Sequence, residues 1–393
     1  MTHRWKRWLA PGTAITAAAL LAACSSSSSS SSSSAASATT GAAASSTAGS
    51  GLTQAQQMVT QLEATTSQYP VPTASVSGVS KLKGRTVYYI PLDAHIPGFV
   101  VTAATMKVAL AKAGLNFQEC DGQGNPTAIA SCVSQAQGAG AAGIVLDAIP
   151  YGMVQNALDS AKSKGVPIII ADQYPPTGTA NTDQVAYVPG VVNQPSQIAW
   201  WLIAASSGKA NAIIGEEEDS PSSVKYVTNA LPIFKQYCPD CRIVVKPITA
   251  SMSDQQITAS VTSNVQTDPT AQYYYTEFED SLQDTVSGIQ ASGKGSSVGI
   301  AVAGGSVNGL GLLKNGQLVK AVVAVDQAYA GWALTDEILR MATKSGPATE
   351  TFPSRLFTAQ NIGSIQVTSA AQASGAWFGS DSYQADFAKL WGV

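Results

Sequence analysis

Residues 142–172 read AGIVLDAIPYGMVQNALDSAKSKGVPIIIAD, and this stretch decides the fold. Ala142–Ala148 and Val166–Ala171 are almost unbroken apolar runs of strand length, with Asp147 and Asp172 at their carboxyl ends. Between them Met153–Lys164 has the length of a helix and is closed by Gly165. Strands that are apolar on both faces, joined through a helix, predict a parallel sheet covered on both sides.

The same alternation extends outward in both directions. Towards the amino end, Arg85–Leu92 (RTVYYIPL) reads as a buried strand, Phe99–Ala113 as a helix ended by Gly114, and Leu115–Cys120 as a second strand. Asn125-Pro126 has the form of a helix N-cap followed by Pro at the first helical position. Ile129, Val133 and Ala136 then recur on one helix face. Towards the carboxyl end the pattern restarts with a short strand at 183–188. Strands are expected at 211–215, 242–248, 272–278, 297–303 and 318–325, and helices at 194–205, 223–237, 253–267, 280–291 and 327–343. The predicted class is α/β: two similar lobes, each a parallel sheet flanked by helices, with a cleft between them. Residues 51–78, with Leu52, Met58, Val59 and Leu62 at helical spacing and prolines behind them, are expected to pack on the first lobe. Trp200 and Trp201 are adjacent on a helix and must point apart. Tyr273–Tyr275 alternate along a strand, so at least one belongs to the core.

The first fifty residues suggest a compartment. Arg4, Lys6 and Arg7 precede an apolar, small-residue run over 9–23, the form of a secretory signal rather than a membrane span. Leu21-Ala22-Ala23-Cys24 resembles the bacterial lipobox, whose cysteine is acylated. Ser25–Ser34 and the Ala/Ser/Thr/Gly stretch to residue 50 suit a flexible tether. The expected organisation is therefore a signal over 1–23 and a tether over 24–50, followed by a two-lobed body. Removing the three basic residues of the leader from 22 leaves 19 Lys+Arg against 25 Asp+Glu, a net charge of about −6 with no basic run. Nucleic acid is excluded as a partner on this ground. Four cysteines remain after Cys24, an even number in an oxidising compartment. Cys238-Pro-Asp-Cys241 suits a disulfide closing a tight turn, because no second Cys pair completes a zinc site and the chain holds only His3 and His95. Cys120 and Cys132 then pair by elimination.

Four motifs in order carry a family resemblance. They are His95-Ile-Pro-Gly-Phe99 after the first strand, Asp121-Gly-Gln-Gly-Asn-Pro126, Ile144-Val-Leu-Asp-Ala148, and Val166-Pro-Ile-Ile-Ile-Ala-Asp172. Together they resemble the first lobe of the sugar-type, type I periplasmic solute-binding proteins of ABC importers. The resemblance implies three chain crossings, near Ala186, Val325 and Thr351. It places a first lobe at 51–187 plus 326–350 and a second at 188–325 plus 351–393. It also implies a ligand held beyond the carboxyl ends of the strands. By this resemblance Asp172 and Asp147 are expected to accept ligand hydroxyls, Phe99 to stack on the ligand, and Asp93, Gln173, Phe278 and Glu279 to line the cleft.

The chain also departs from that pattern. Gln173 stands where sugar binders commonly have Arg, Val224-Lys-Tyr-Val227 replaces another ligand Arg, and the strand ends read Phe278-Glu279 and Gly304-Gly305. Asp93, Asp147, Asp172, Glu216, Glu277 and Glu279 make the strand ends acceptor-rich, with Lys225 as the nearby cation. The expectation is a neutral polyhydroxylated ligand, with a small cationic solute next. No GxSxG, Walker A loop or metal-ligand cluster is present in the sequence. Neither catalysis, nor a cofactor, nor a metal is therefore expected. The expected protein is a monomeric, lipid-anchored binder at the outer face of the cytoplasmic membrane, working with importer membrane subunits. A surface lipoprotein that senses the same ligand for a membrane receptor is the alternative.

Overall fold

The deciding stretch folds as expected: strand β3 (Gly143–Asp147), a helix (Gln155–Ser163) and strand β4 (Ile168–Ala171), the two strands paired in parallel. This computed structural model describes residues 40–393 apart from Val192, Ala250, Ser251 and Thr349. The expected signal, the acylation site Cys24 and the tether up to residue 39 lie outside the described residues.

The first sheet has the order β2-β1-β3-β4-β5 and is wholly parallel, with β1 at Thr86–Pro91, β2 at Asn116–Glu119 and β5 at Val185–Val188. Helix α2 (Pro97–Lys112) and helix α3 (Pro126–Gly138) connect its first strands. The Asn125 side chain accepts from the backbone N–H groups of Thr127 and Ala128, as its place before Pro126 predicts.

The second sheet has the order β11-β10-β9-β8-β6-β7. Its strands are β6 (Asn211–Glu217), β7 (Arg242–Ile248), β8 (Tyr273–Thr276), β9 (Gly299–Gly304), β10 (Val319–Val325) and β11 (Ser354–Thr358). The expectation of parallel sheets holds save for this last strand, which runs antiparallel to β10 at the edge. Helix α5 (Gln194–Ala205) brings Trp201 into the core beside Tyr273, while Trp200 is half-buried. The disulfides Cys120–Cys132 and Cys238–Cys241 both form.

Two expectations about the chain ends are corrected. Helix α1 (Thr40–Glu63) starts inside the expected tether and packs on the second lobe, not the first. Ala55, Val59 and Leu62 join the core around β6 and β9, and Arg355 donates to the Glu63 carbonyl at 2.9 Å. Only the chain beyond it, with Val76, Val79 and Leu82, enters the first lobe's core. Likewise the carboxyl-terminal helix α12 (Tyr383–Trp391) was expected in the second lobe. Tyr383, Phe387 and Trp391 instead stack against Tyr329 and Trp332 of α10 (Gln327–Thr343), in the first lobe's core. Apolar spacing marks the buried face of a helix but not the lobe that buries it.

Candidate functional site

The segment that leaves the carboxyl end of β4 in the first lobe meets the start of the helix that follows β6 in the second, at the strand ends where open α/β sheets bind ligands. In the first lobe the chain leaves β3 and β4 through Ala148 and Asp172, both at positive φ (58° and 55°). Such left-handed turns are tolerated by Asp and uncommon for Ala. Asp147 and Asp172 are 2% and 7% exposed, and their carboxyl groups lie close enough to share a proton. Tyr89 donates to Asp147 Oδ2 at 2.7 Å, and the backbone N–H groups of Gly190 and Val191 pull the Asp172 carboxyl down, while Oδ1 of each aspartate lacks a well-formed hydrogen bond. Burial raises the Asp147 carboxyl to about 6, against the pull of the Tyr89 hydroxyl. Burial first, and then the Asp147 charge, raises Asp172 well above the carboxylate range. Gly190, in the crossing to the second lobe, has to be glycine. A Cβ there would stand 2.1 Å from the Phe352 ring and 2.7 Å from Asp172 Oδ1.

The second lobe closes on this pair through the start of helix α6 (Pro221–Tyr237), whose N-cap is Ser220. The Tyr226 hydroxyl donates to the Asp172 carbonyl, and Tyr174 N–H donates to Ser222 Oγ at 3.0 Å. The Ser220 hydroxyl reaches Gln173 Oε1 at 3.4 Å, and Asn229 donates to the Tyr174 hydroxyl at 3.0 Å. Lys225 is exposed and lies over the Tyr174 ring, 4.2 Å from its centroid. From the ends of β6 and β8 come Glu217 and Glu277. Glu277 is 3% exposed and accepts from Glu217 N–H at 2.8 Å through Oε2, whereas Oε1 has no partner. Burial raises Glu277 to about 9 and Glu217 to about 8. Tyr226 stands between the lobes, its pKa raised by burial and then by Asp172, with Glu277 also contributing.

The other residues singled out from the sequence fall elsewhere. Asp93 is half-exposed and accepts from His95 N–H at 2.8 Å and Nδ1 at 2.9 Å. Phe99 is buried in the first lobe's core at the start of α2. Gln173 is buried at the junction, and Phe278 is half-buried at the end of β8. Glu279 is a cap: Oε2 accepts from Gly305 and Ser306 N–H at 2.6 and 2.7 Å, and Oε1 from Gly309 N–H at 2.8 Å and the Ser306 hydroxyl. These groups open helix α9 (Val307–Asn315). The turn needs glycine at 305, where φ is 107° and a Cβ would meet Ala324 at 2.2 Å. Ser222 had no signal beyond Ser220-Pro221, which marks the start of α6, and Tyr226 was marked only within Val224–Val227, where the resemblance implies a ligand Arg instead. A surface hollow of about 480 Å³ lies away from the cleft, between Trp201, Gln272, Gly299 and Lys320.

No family model and no curated protein matches this chain in sequence. Solved structures do match. The 5-methylthioribose transporter solute-binding protein of Thermotoga lettingae, with 5-methylthioribose bound, superposes with a TM-score of 0.64 at 11% identity, over 77% of this chain and 98% of that one. An ABC transporter solute-binding protein of Agrobacterium vitis with bound allitol gives 0.62 at 14%, over 72% and 98%. GanP, a glucose-galactose binding protein of Geobacillus stearothermophilus, gives 0.63 at 14%, over 71% and 99%. At these identities the likeness is one of architecture, and it shows that the chain has the two-lobed α/β fold of the type I periplasmic solute-binding proteins.

Proposed function

We propose that this protein is the solute-binding component of an ABC importer, taking a small polyhydroxylated molecule, a sugar or polyol, between its lobes. One observation carries the reading. Buried carboxyl oxygens of Asp147, Asp172 and Glu277 that lack a full set of protein donors stand at the carboxyl ends of strands in both lobes, with Tyr226 under the charge of both Asp172 and Glu277. A buried carboxylate oxygen without a donor is costly, on the order of 1–3 kcal/mol, and ligand hydroxyls are donors of the right kind. The solutes named for the neighbours above, methylthioribose, allitol, and glucose and galactose, have the same chemistry. Anionic solutes are disfavoured, because none of the cleft carboxyls has a cation against it and Lys225 points to Tyr174.

The protein acts by closing around its solute and presenting the closed form to membrane subunits, held at the outer face of the membrane through acylated Cys24. A thermal-shift screen of sugars and polyols tests the central claim, since a ligand of the native state alone raises the melting temperature. A rise with at least one hydroxylated solute, lost in Asp172→Asn, is the expected result. A response only to sugar phosphates or carboxylated solutes refutes it.

A further inference from the structure

Among the described residues, the acids of the cleft differ from the other buried acids in lacking both a neighbouring cation and a full set of donors. Asp336, fully buried, has Arg340 Nε at 2.5 Å and the Trp391 indole N–H at 2.7 Å. Glu337 and Glu350, which also keep oxygens without partners, lie beside that same arginine. Asp326 carries no cation, but both its oxygens are engaged, by Tyr329 N–H at 3.0 Å and the Tyr69 hydroxyl at 3.1 Å. Asp147, Asp172 and Glu277 have neither a cation nor a full set of donors. The titratable groups facing them are Tyr89 and Tyr226 around the aspartates, with Glu216, Glu217, Asp280 and Tyr275 around Glu277. All of these are acids. The ion pairs formed by lysine or arginine among the described residues, Lys162–Asp159, Arg242–Asp268 and Arg340–Asp336, lie outside the cleft.

We infer that the hydroxylated solute of this cleft also carries an amine, as an amino sugar or aminopolyol does, and that its ammonium is received between Asp147 and Asp172 of the first lobe and Glu277 of the second. The inference rests on the reading of the cleft as a solute site. A neutral hydroxyl supplies a single donor and leaves the buried acids to be neutralised by their own protons. An ammonium supplies three donors and the missing charge, and charge-assisted bonds are about twice as strong as neutral ones. Buried carboxylates are tolerated when paired and hydrogen-bonded and are otherwise forced to hold protons.

The geometry gives this binding a signature. In the free site burial keeps these carboxyls protonated to unusually high pH, Glu277 up to about 9 and Asp147 up to about 6. An arriving ammonium favours their ionised forms, so the acids give up protons to solvent as it binds. Affinity for an amine therefore rises with pH, by up to tenfold per unit for each proton released, until pH passes the amine's own pKa, about 8 for an amino group of this kind. A neutral sugar has no such charge to offer and shows no such rise.

Calorimetry on the full chain decides the matter. Glucosamine, galactosamine and 1-amino-1-deoxyglucitol would be compared with glucose, galactose and glucitol at pH 6 and 7.5, in buffers of different ionisation enthalpy. Expected is an amine that binds at least tenfold tighter than its parent at pH 7.5, tightens from pH 6, releases protons, and loses the advantage when N-acetylated. Glu277→Gln, which keeps the side chain's shape but removes its charge, should weaken the amine more than the parent and so narrow the gap between them. Parents that bind as tightly as their amines, or an amine advantage independent of pH, overturn the inference and leave the solute-binding reading standing. If no hydroxylated compound binds, with or without an amine, that reading falls and takes this one with it.

Discussion

Replacing Glu279 by glutamine separates a helix cap from a ligand group at a residue where the family resemblance implied the latter. Both carboxylate oxygens are occupied, Oε2 by the Gly305 and Ser306 N–H groups and Oε1 by the Gly309 N–H and the Ser306 hydroxyl. Glutamine offers one acceptor oxygen, and its amide nitrogen must take the place of the other. At Oε2 that nitrogen would face two backbone donors, so it turns towards Ser306 and Gly309. The serine hydroxyl can rotate to accept from it, but the Gly309 N–H loses its carboxylate acceptor and keeps only the longer bond to Ser306 Oγ at 3.3 Å, at a cost of about 0.5–1.5 kcal/mol. Losing the negative charge at the start of α9 removes about 0.3–1 kcal/mol more. The sum is roughly 1–2.5 kcal/mol, a fall in melting temperature of roughly 1–3 °C for a protein of this size. Differential scanning calorimetry reads the stability and titration with a screened solute reads the affinity. A Glu279→Gln protein that melts with the wild type but no longer binds the solute would refute the capping role.

Tyr226→Phe removes the hydroxyl that reaches the Asp172 carbonyl across the lobes, while keeping the ring 5.3 Å from that of Tyr174. The penalty falls on the closed form alone, so solute affinity should drop by about 1–2 kcal/mol, roughly five- to thirtyfold, with little change in ligand-free melting; unchanged affinity would count against closure through this contact. Removing Cys120–Cys132, whose partners are 12 residues apart, should cost about 3 kcal/mol in the loop-entropy estimate, against about 2 for the three-residue separation of Cys238–Cys241, as measured by urea unfolding of the Cys→Ser pairs. Stability should also fall as pH rises. Burial raises Asp326 to about 7, Glu217 to about 8 and Glu277 to about 9, so the folded state holds protons that the unfolded chain releases near pH 4. Their contribution is complete below that pH and is lost on passing through the folded values, so the denaturation midpoint of the ligand-free protein should be lower at pH 8 than at pH 5; the opposite trend would contradict the burial of these acids.

The fold was open to sequence reading because its strands are short apolar runs that stop at polar residues. Both signals sit within a few positions of each other, as at Ile168–Ala171 followed by Asp172. Asp147 and Asp172 could be placed at the strand ends for the same reason, since a polar residue closing a buried parallel strand stands at the edge where open α/β sheets bind ligands. Glu279 could not be read correctly. Its role depends on the turn at Gly304-Gly305 bringing the start of α9 onto it, a contact across 26 to 30 residues that no local pattern encodes. Tyr226 was hidden for a related reason: its partner is a backbone carbonyl in the other lobe, 54 residues earlier, and a carbonyl has no residue type to match. The two chain ends failed through ambiguity of partner. Tyr383, Phe387 and Trp391 repeat at the spacing of one helix face whichever core receives them, and Ala55, Val59 and Leu62 do the same. Only the packed structure shows that α1 is held by the second lobe and α12 by the first. The chain leaving α1 then crosses between them, pairing Thr66 with Gly379 and bonding Tyr69 to Asp326, where β10 enters α10. The lobes are thus joined by these end segments as well as where the chain passes from β5 to α5, from β10 to α10 and from α10 to β11. Any opening of the cleft must bend the chain at Tyr69 as well as at Gly190, Asp326 and Phe352.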